Sequence, residues 1–235
     1  MFTLPPAPAE DTSIVDVSEG SETLQQLLQF CYPTSDPEIK SFQGIQAVLE
    51  AARKYEMDGI QERVAKRLEI FINDNALRVY AIAHRYKLER QVRLAAKQSL
   101  QQPLSTTYVA ELEFIPASAL YRFQDYHLRC KSATSRRFLK GGLTWVHHTR
   151  GSSLNVLLNS YIWFTCRRCP SGPDVKVMDN LNMQPTKWWS DYMEAVSSAL
   201  SEVPCYSNEA VTSAKNNTLE TAVKCSVCQK QVNII

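Results

Sequence analysis

The chain has 235 residues, 44% hydrophobic and 21% charged, a balance that supports a packed core and excludes wholesale disorder. Its formal net charge of +2 gives no global electrostatic case for nucleic acid or an anionic membrane as the main partner. Met1–Glu10 is rich in proline and lacks the basic flank and apolar run of a secretory signal. The longest apolar-leaning stretch, Leu154–Phe164, is too short for a bilayer and carries Asn155, Asn159 and Ser160. The expectation is an intracellular protein, cytoplasmic or nuclear, without a membrane segment. There the seven cysteines are thiols or metal ligands before disulfides, and the sequon at Asn216 carries no meaning.

Residues 1–12 are expected to form a flexible leader. Ser13–Val17, with its β-branched residues and polar breaks, predicts a short strand. Ser21 is placed to cap a helix with Leu24, Leu27, Leu28 and Cys31 on one face, and Pro33 ends it. Ile45, Val48, Leu49 and Ala52 predict a helix over Gly44–Tyr55. Asp58-Gly59 is a turn signal, after which Ile60, Val64, Leu68 and Phe71 define the next helix. Asp74 or Asn75 caps a helix bearing Leu77, Tyr80, Ala81 and His84. Leu88, Val92, Ala95 and Ala96 mark another, closed by Pro103. Shorter helices are predicted at Thr106–Glu113 and Ala117–Lys131, divided by Pro116. Residues 132–160, with Gly141-Gly142 and poor periodicity, are expected to be a linker. Trp189, Tyr192, Met193, Val196 and Leu200 define one more helix, and Asn208–Val223 is a weaker one. No internal repeat stands out. The fold class expected is mainly α, a helical bundle with at most one or two short strands and a helical, cysteine-containing tail over residues 161–235.

The chemistry-bearing pattern is in that tail. Cys166-Arg167-Arg168-Cys169 and Cys225-Ser226-Val227-Cys228 are two Cys-x-x-Cys knuckles. Each turns two thiolates toward one point, and together Cys166, Cys169, Cys225 and Cys228 make a candidate tetrahedral structural site for one Zn2+. Arg167, Arg168, Lys224 and Lys230 are expected to lower the thiol pKa values and offset the thiolate charge. The knuckles are far apart in sequence, but the two helices predicted between them can run out and back, so the four sulfurs are expected to converge; ordinary thiols are the alternative. A redox role is disfavoured, because no strand–helix unit frames either motif. His127 and Cys130 share a helix face and are substitute ligands if one knuckle is unused. Otherwise they form a core or surface pair. His147-His148 is expected to be solvated, Cys31 to act as a small core hydrophobe, and Cys205 to lack a partner. Arg136, Arg137, Lys140 and Arg150, interleaved with Phe138 and Trp145, are read as a solvated linker before a nucleic-acid contact. Trp188, Trp189 and Tyr192 are read as core.

Several ordered blocks carry a family resemblance. Ile14–Glu19 through Leu27–Pro33 looks like the strand, helix and Tyr-Pro ending in the middle of a BTB/POZ domain. Val48–Met57 resembles its next helix, with a Leu–Ala–Lys–Tyr pattern. Ala76–Ala83 with Tyr86 and Leu88 resembles the helical extension of many basidiomycete BTB proteins, and Tyr121–Cys130 and Trp163–Cys166 are similar to the same fungal group. The resemblance implies a partial BTB/POZ segment over 13–72 and a helical extension over 73–131. It also implies a protein-interaction adaptor, with a cullin-type ubiquitin-ligase scaffold as a partner class. The elements that precede the Ile14 strand in a full domain have no counterpart, and Met1-Phe2 falls where the family has a Met-Phe inside the domain. The expectation is therefore a domain truncated at its N-terminus, to which family dimerisation does not carry over.

No phosphate loop, nucleophile elbow or His-Glu-x-x-His helix is present in the sequence. The expected function is a non-enzymatic protein-interaction module. A zinc-stabilised transcription or chromatin factor is the alternative, and a cysteine redox enzyme the second alternative.

Overall fold

The computed structural model describes residues 16–32, 35–104, 107–136, 161–178 and 181–232. Among the described residues the fold is mainly helical, with one sheet, an antiparallel pair of short strands. It divides into two units, Met1–Phe71 and Ile72–Ile235.

In the first unit α1 is Ser21–Cys31, α2 Phe42–Lys54 and α3 Asp58–Leu68, closed by a 3-10 turn at Glu69–Phe71. The spacing of Ile45, Val48, Leu49 and Ala52 puts all four on one face of α2, and all four are fully buried. Ile60, Val64 and Leu68 meet them from α3. Burying each large aliphatic side chain contributes roughly 1.5–3 kcal/mol. Ser41 caps α2 by accepting from the Gly44 N–H at 3.0 Å. Glu19 accepts from Lys54 Nζ and from the Tyr55 hydroxyl, each at 2.8 Å, which ties the entry segment to the end of α2. Arg63 donates to the Phe30 carbonyl at 2.6 Å and pairs with Asp36.

Three local expectations are corrected here. The residue capping α1 is Gly20, with no side-chain bond, rather than Ser21. The α1 face turned inward carries Leu27 and Phe30, while Leu28 is 53% exposed and Cys31 is exposed. Phe30, three residues after Leu27, is the larger apolar group, and burying it rotates Leu28 and Cys31 outward. Asp58-Gly59 opens α3 instead of forming the turn, because an acid in the first turn complements the helix dipole. Of the strand expected at Ile14–Val17, Asp16 and Val17 are not in a strand, and residues 13–15 lie outside the described residues, as does the 1–12 leader.

The second unit begins with α4, Ala76–Arg85, and α5, Glu89–Gln98, followed by 3-10 turns at Ser99–Gln101 and Ala110–Phe114. Asn75, not Asp74, caps α4 by accepting from the Arg78 N–H. α6 runs Ala117–Arg136, so it continues past Lys131 into the expected linker; of the helix predicted at Thr106–Glu113, residues 107–109 are not helical, residues 110–113 belong to the short 3-10 turn, and Thr106 lies outside the described residues. Residues 137–160, including His147, His148 and most of the basic cluster, lie outside the described residues. Tyr80 donates to the Ala119 carbonyl at 2.9 Å and packs on Phe123, joining α4 to α6. Arg78 grips the buried Glu111 with its Nε 3.0 Å from both carboxylate oxygens. The rest of the unit holds α7 (Ile162–Thr165), β1 (Val175–Met178), β2 (Leu181–Met183), α8 (Lys187–Glu202), α9 (Glu209–Val223) and α10 (Gln229–Val232). β1 and β2 pair with Val175 opposite Met183.

The backbone shows a recurrence that the residues alone do not display. α2 ends with the Met57 N–H on the Ala52 carbonyl at 2.8 Å and the Glu56 N–H on the Arg53 carbonyl at 3.2 Å. α4 ends with Leu88 on Ala83 at 2.8 Å and Lys87 on His84 at 3.2 Å. Both are Schellman stops, whose left-handed residue is usually glycine. Here it is Glu56 (φ 55°) and Lys87 (φ 58°). Each stop follows a tyrosine and leads into a helix that starts on an acid, Asp58 or Glu89.

Candidate metal centre

The first knuckle begins where α7 ends. The Cys166 N–H closes the last turn on the Ile162 carbonyl at 2.9 Å, and the chain then swings through Arg167 and Arg168 to Cys169. Pro170–Gly172 is strapped to the start of α8. Lys187 N–H bonds Pro170 O at 2.7 Å, Gly172 N–H bonds Pro185 O at 2.6 Å, and Thr186 N–H bonds Trp163 O at 2.7 Å. Gly172 is required by this approach, since a Cβ there would lie 3.0 Å from the Ser190 Cβ and 2.3 Å from its Oγ. The second knuckle begins where α9 ends, with the Cys225 N–H on the Ala222 carbonyl, and leads into α10 through Gln229 N–H on Cys225 O.

These placements converge. The sulfurs of Cys166, Cys169, Cys225 and Cys228 all lie within 4.8 Å of one another. Cys166 Sγ is 3.7 Å from Cys225 Sγ, and Cys169 Sγ is 3.7 Å from Cys228 Sγ. A tetrahedral Zn–S site with bonds of about 2.3 Å has sulfur–sulfur edges of about 3.8 Å. Cys166 and Cys228 are buried, Cys169 and Cys225 partly so. Arg168 Nη1 donates to Ser226 Oγ at 2.9 Å, a second link between the knuckles. The core behind them is Ile162, Phe164, Trp188, Trp189, Met193 and Ala222. Trp163 stacks between Tyr161, at 4.5 Å, and Trp189, at 5.8 Å.

The expected cause of the thiol shifts is corrected. Burial pushes the Cys169 thiol up to about 11 and raises Cys228 as well; the neighbouring thiols add to the rise at Cys228, while at Cys169 those of Cys225 and Cys166 raise it and that of Cys228 lowers it. Cys225 is drawn down to about 6, chiefly by the backbone N–H groups of Cys228 and Val227. Knuckle amides, not the neighbouring cations, set that value, because a fixed N–H at the sulfur outweighs an exposed, hydrated side-chain charge.

No protein-family model, no curated protein and no solved structure matches this chain. The site is therefore read from its own geometry. The donor set fits zinc: four soft sulfurs, from two knuckles, gathered around one point. His127 is not part of it. It is buried on α6, with its Nε2 on the Gln102 carbonyl at 3.2 Å, and Cys130 is likewise outside the cluster. Cys31, expected in the core, is exposed with its Sγ 3.4 Å from the Leu27 carbonyl, and Cys205 lies 3.1 Å from Ser207 Oγ. Trp188 and Trp189 are buried, as expected of core residues. The supporting residues Gly172 and Thr186 escaped sequence reading, although a glycine three residues after a cysteine knuckle is a signal for close backbone approach.

Proposed function

We propose that the chain is a non-enzymatic protein-interaction module whose tail is closed by one structural zinc ion held by Cys166, Cys169, Cys225 and Cys228. The observation that carries the reading is the cluster of four sulfurs within 4.8 Å. Four thiolates complete a tetrahedral ion and leave no position for water or substrate, which is the character of a structural centre. When bound, the metal supplies cross-linking between two segments that are otherwise joined by a thin core. The helical region is the partner-binding part. Its support is the BTB/POZ resemblance, with a cullin-type scaffold as partner class, and the exposed apolar pairs Leu28/Tyr32 and Tyr121/Leu128. These pairs fall four and seven residues apart, so each presents one helix face.

Elemental analysis of the full chain, purified without a metal-chelating step, should find one zinc per molecule. Cobalt substitution should give the intense visible bands of a tetrahedral thiolate site, unchanged by added small anions. A folded protein with four freely titrating tail thiols and no zinc overturns the metal reading. For the interaction half, purified cullin-type scaffold should bind the wild-type chain and lose binding to a Leu28→Glu/Tyr32→Glu or Tyr121→Glu/Leu128→Glu variant. A salt-dependent shift of DNA by the wild-type chain would favour a chromatin role instead.

A further inference from the structure

We propose that the sulfur cluster is also a peroxide-responsive modification site, in which Cys166 is oxidised to a disulfide with Cys225, and Cys169 to one with Cys228. Both 3.7 Å sulfur contacts run across the knuckles rather than along the chain, and each joins residues 59 apart in sequence. Bonding at about 2.05 Å requires the two sulfurs of each pair to approach by about 1.7 Å. Arg168 on Ser226 holds the two knuckles face to face while it happens. Each pair also joins a partly buried sulfur, Cys225 or Cys169, to a buried one, Cys166 or Cys228. The accessible thiolate attacks hydrogen peroxide, breaking its O–O bond and becoming a sulfenic acid as hydroxide leaves. The buried thiolate then attacks that sulfur, forming the S–S bond and expelling a second hydroxide. Two peroxides oxidise the four thiolates, and a zinc ion held by them leaves as Zn2+. The outcome is a tail that gives up its metal but stays closed, because each covalent link spans the same two segments the ion had joined. The release of zinc and the thiolate state of the four sulfurs rest on the metal reading above, whereas which sulfurs pair is set by the cross-knuckle geometry.

The experiment treats the purified full chain with hydrogen peroxide, blocks remaining thiols, and maps disulfides by digestion and mass spectrometry. A metallochromic dye follows zinc and far-UV circular dichroism follows fold. The expected result is cross-knuckle peptides Cys166–Cys225 and Cys169–Cys228, zinc release in step with them, and retained helicity. Pairs within a knuckle, Cys166–Cys169 or Cys225–Cys228, overturn the proposal, as do sulfinic acids without cross-links. Cys225→Ser should leave only the Cys169–Cys228 link, and a Cys166–Cys169 link in that variant again overturns it. A chain that never held zinc gives no dye signal and defeats the metal reading, while the map still decides the pairing.

Discussion

The helical hairpin of α2 and α3 and the cysteine tail of residues 161–232 solve the same problem by different means. The hairpin buries an aliphatic stripe: Ile45, Val48, Leu49 and Ala52 against Ile60, Val64 and Leu68. Around the sulfur cluster the tail core has fewer aliphatic residues and relies on Phe164, Trp188, Trp189 and two buried cysteines, while a separate aliphatic cluster of Val196, Leu200 and Val211 joins α8 to α9. The tail also leaves polar atoms unsatisfied. Among the described residues five buried side-chain polar atoms have no hydrogen-bond partner, and four of them, Trp163 Nε1, Thr186 Oγ1, Trp188 Nε1 and Ser190 Oγ, belong to the tail; the fifth is His127 Nδ1 on α6. Such groups each cost roughly 1–3 kcal/mol. The proposed zinc therefore has most to add in the tail, where an aromatic core carries unpaired polar atoms.

The largest expected effect breaks that contrast most directly. Chelation should remove hydrogen-exchange protection from Trp163–Met193 and leave the amides of α2 and α3 protected, because a structural zinc supplies about 10–16 kcal/mol of apparent binding free energy in small zinc domains. Equal loss in both regions would show that the hairpin depends on the metal too. Conversely, Leu49→Ala should cost about 2–5 kcal/mol of hairpin stability through an unfilled cavity. It should leave the metal content unchanged, as denaturant titration with metal analysis would show. Gly172→Ala should cost about 1–3 kcal/mol by forcing the strap away from Ser190. Its signature is weaker zinc retention against a competing chelator, with the hairpin unaffected.

The smallest effect concerns pH. The Lys54 ammonium and Tyr55 hydroxyl hold the Glu19 carboxyl at about 2, below its ordinary 4.5. A depressed folded-state value means that its contribution is complete above pH 4.5 and is lost as pH falls toward 2. Glu19→Gln should therefore lower hairpin stability slightly at neutral pH and flatten its acid dependence in that window. An acid-unfolding midpoint identical to wild type would remove Glu19 from the account.

The helices were legible because apolar residues recur at the 3.6-residue period, and Val48, Leu49 and Ala52 need no tertiary information to be placed. The four knuckle cysteines were legible from spacing and residue type, and so was their convergence, because the two helices predicted between the knuckles can run out and back. It depends on α8 and α9 packing together, which returns the second knuckle to the first. The face of α1 was misread because Leu28 and Phe30 offer competing stripes, and only packing chooses between them. The paired stops at Glu56 and Lys87 were invisible because neither carries the glycine that marks a left-handed position. The β1–β2 pair was missed because its strands are only four and three residues long.

The 59-position separation of Cys166 and Cys225 also sets a clock. A ribosome adding 5–20 residues each second takes about 3–12 s to make that stretch. During that interval Cys166 and Cys169 have emerged without Cys225 and Cys228 and are held by neither partner sulfur. The helical hairpin, whose contacts are local, closes long before this. The newborn chain thus passes through a period in which its first half is finished and its first two tail thiols are open to whatever metal or oxidant the surroundings hold.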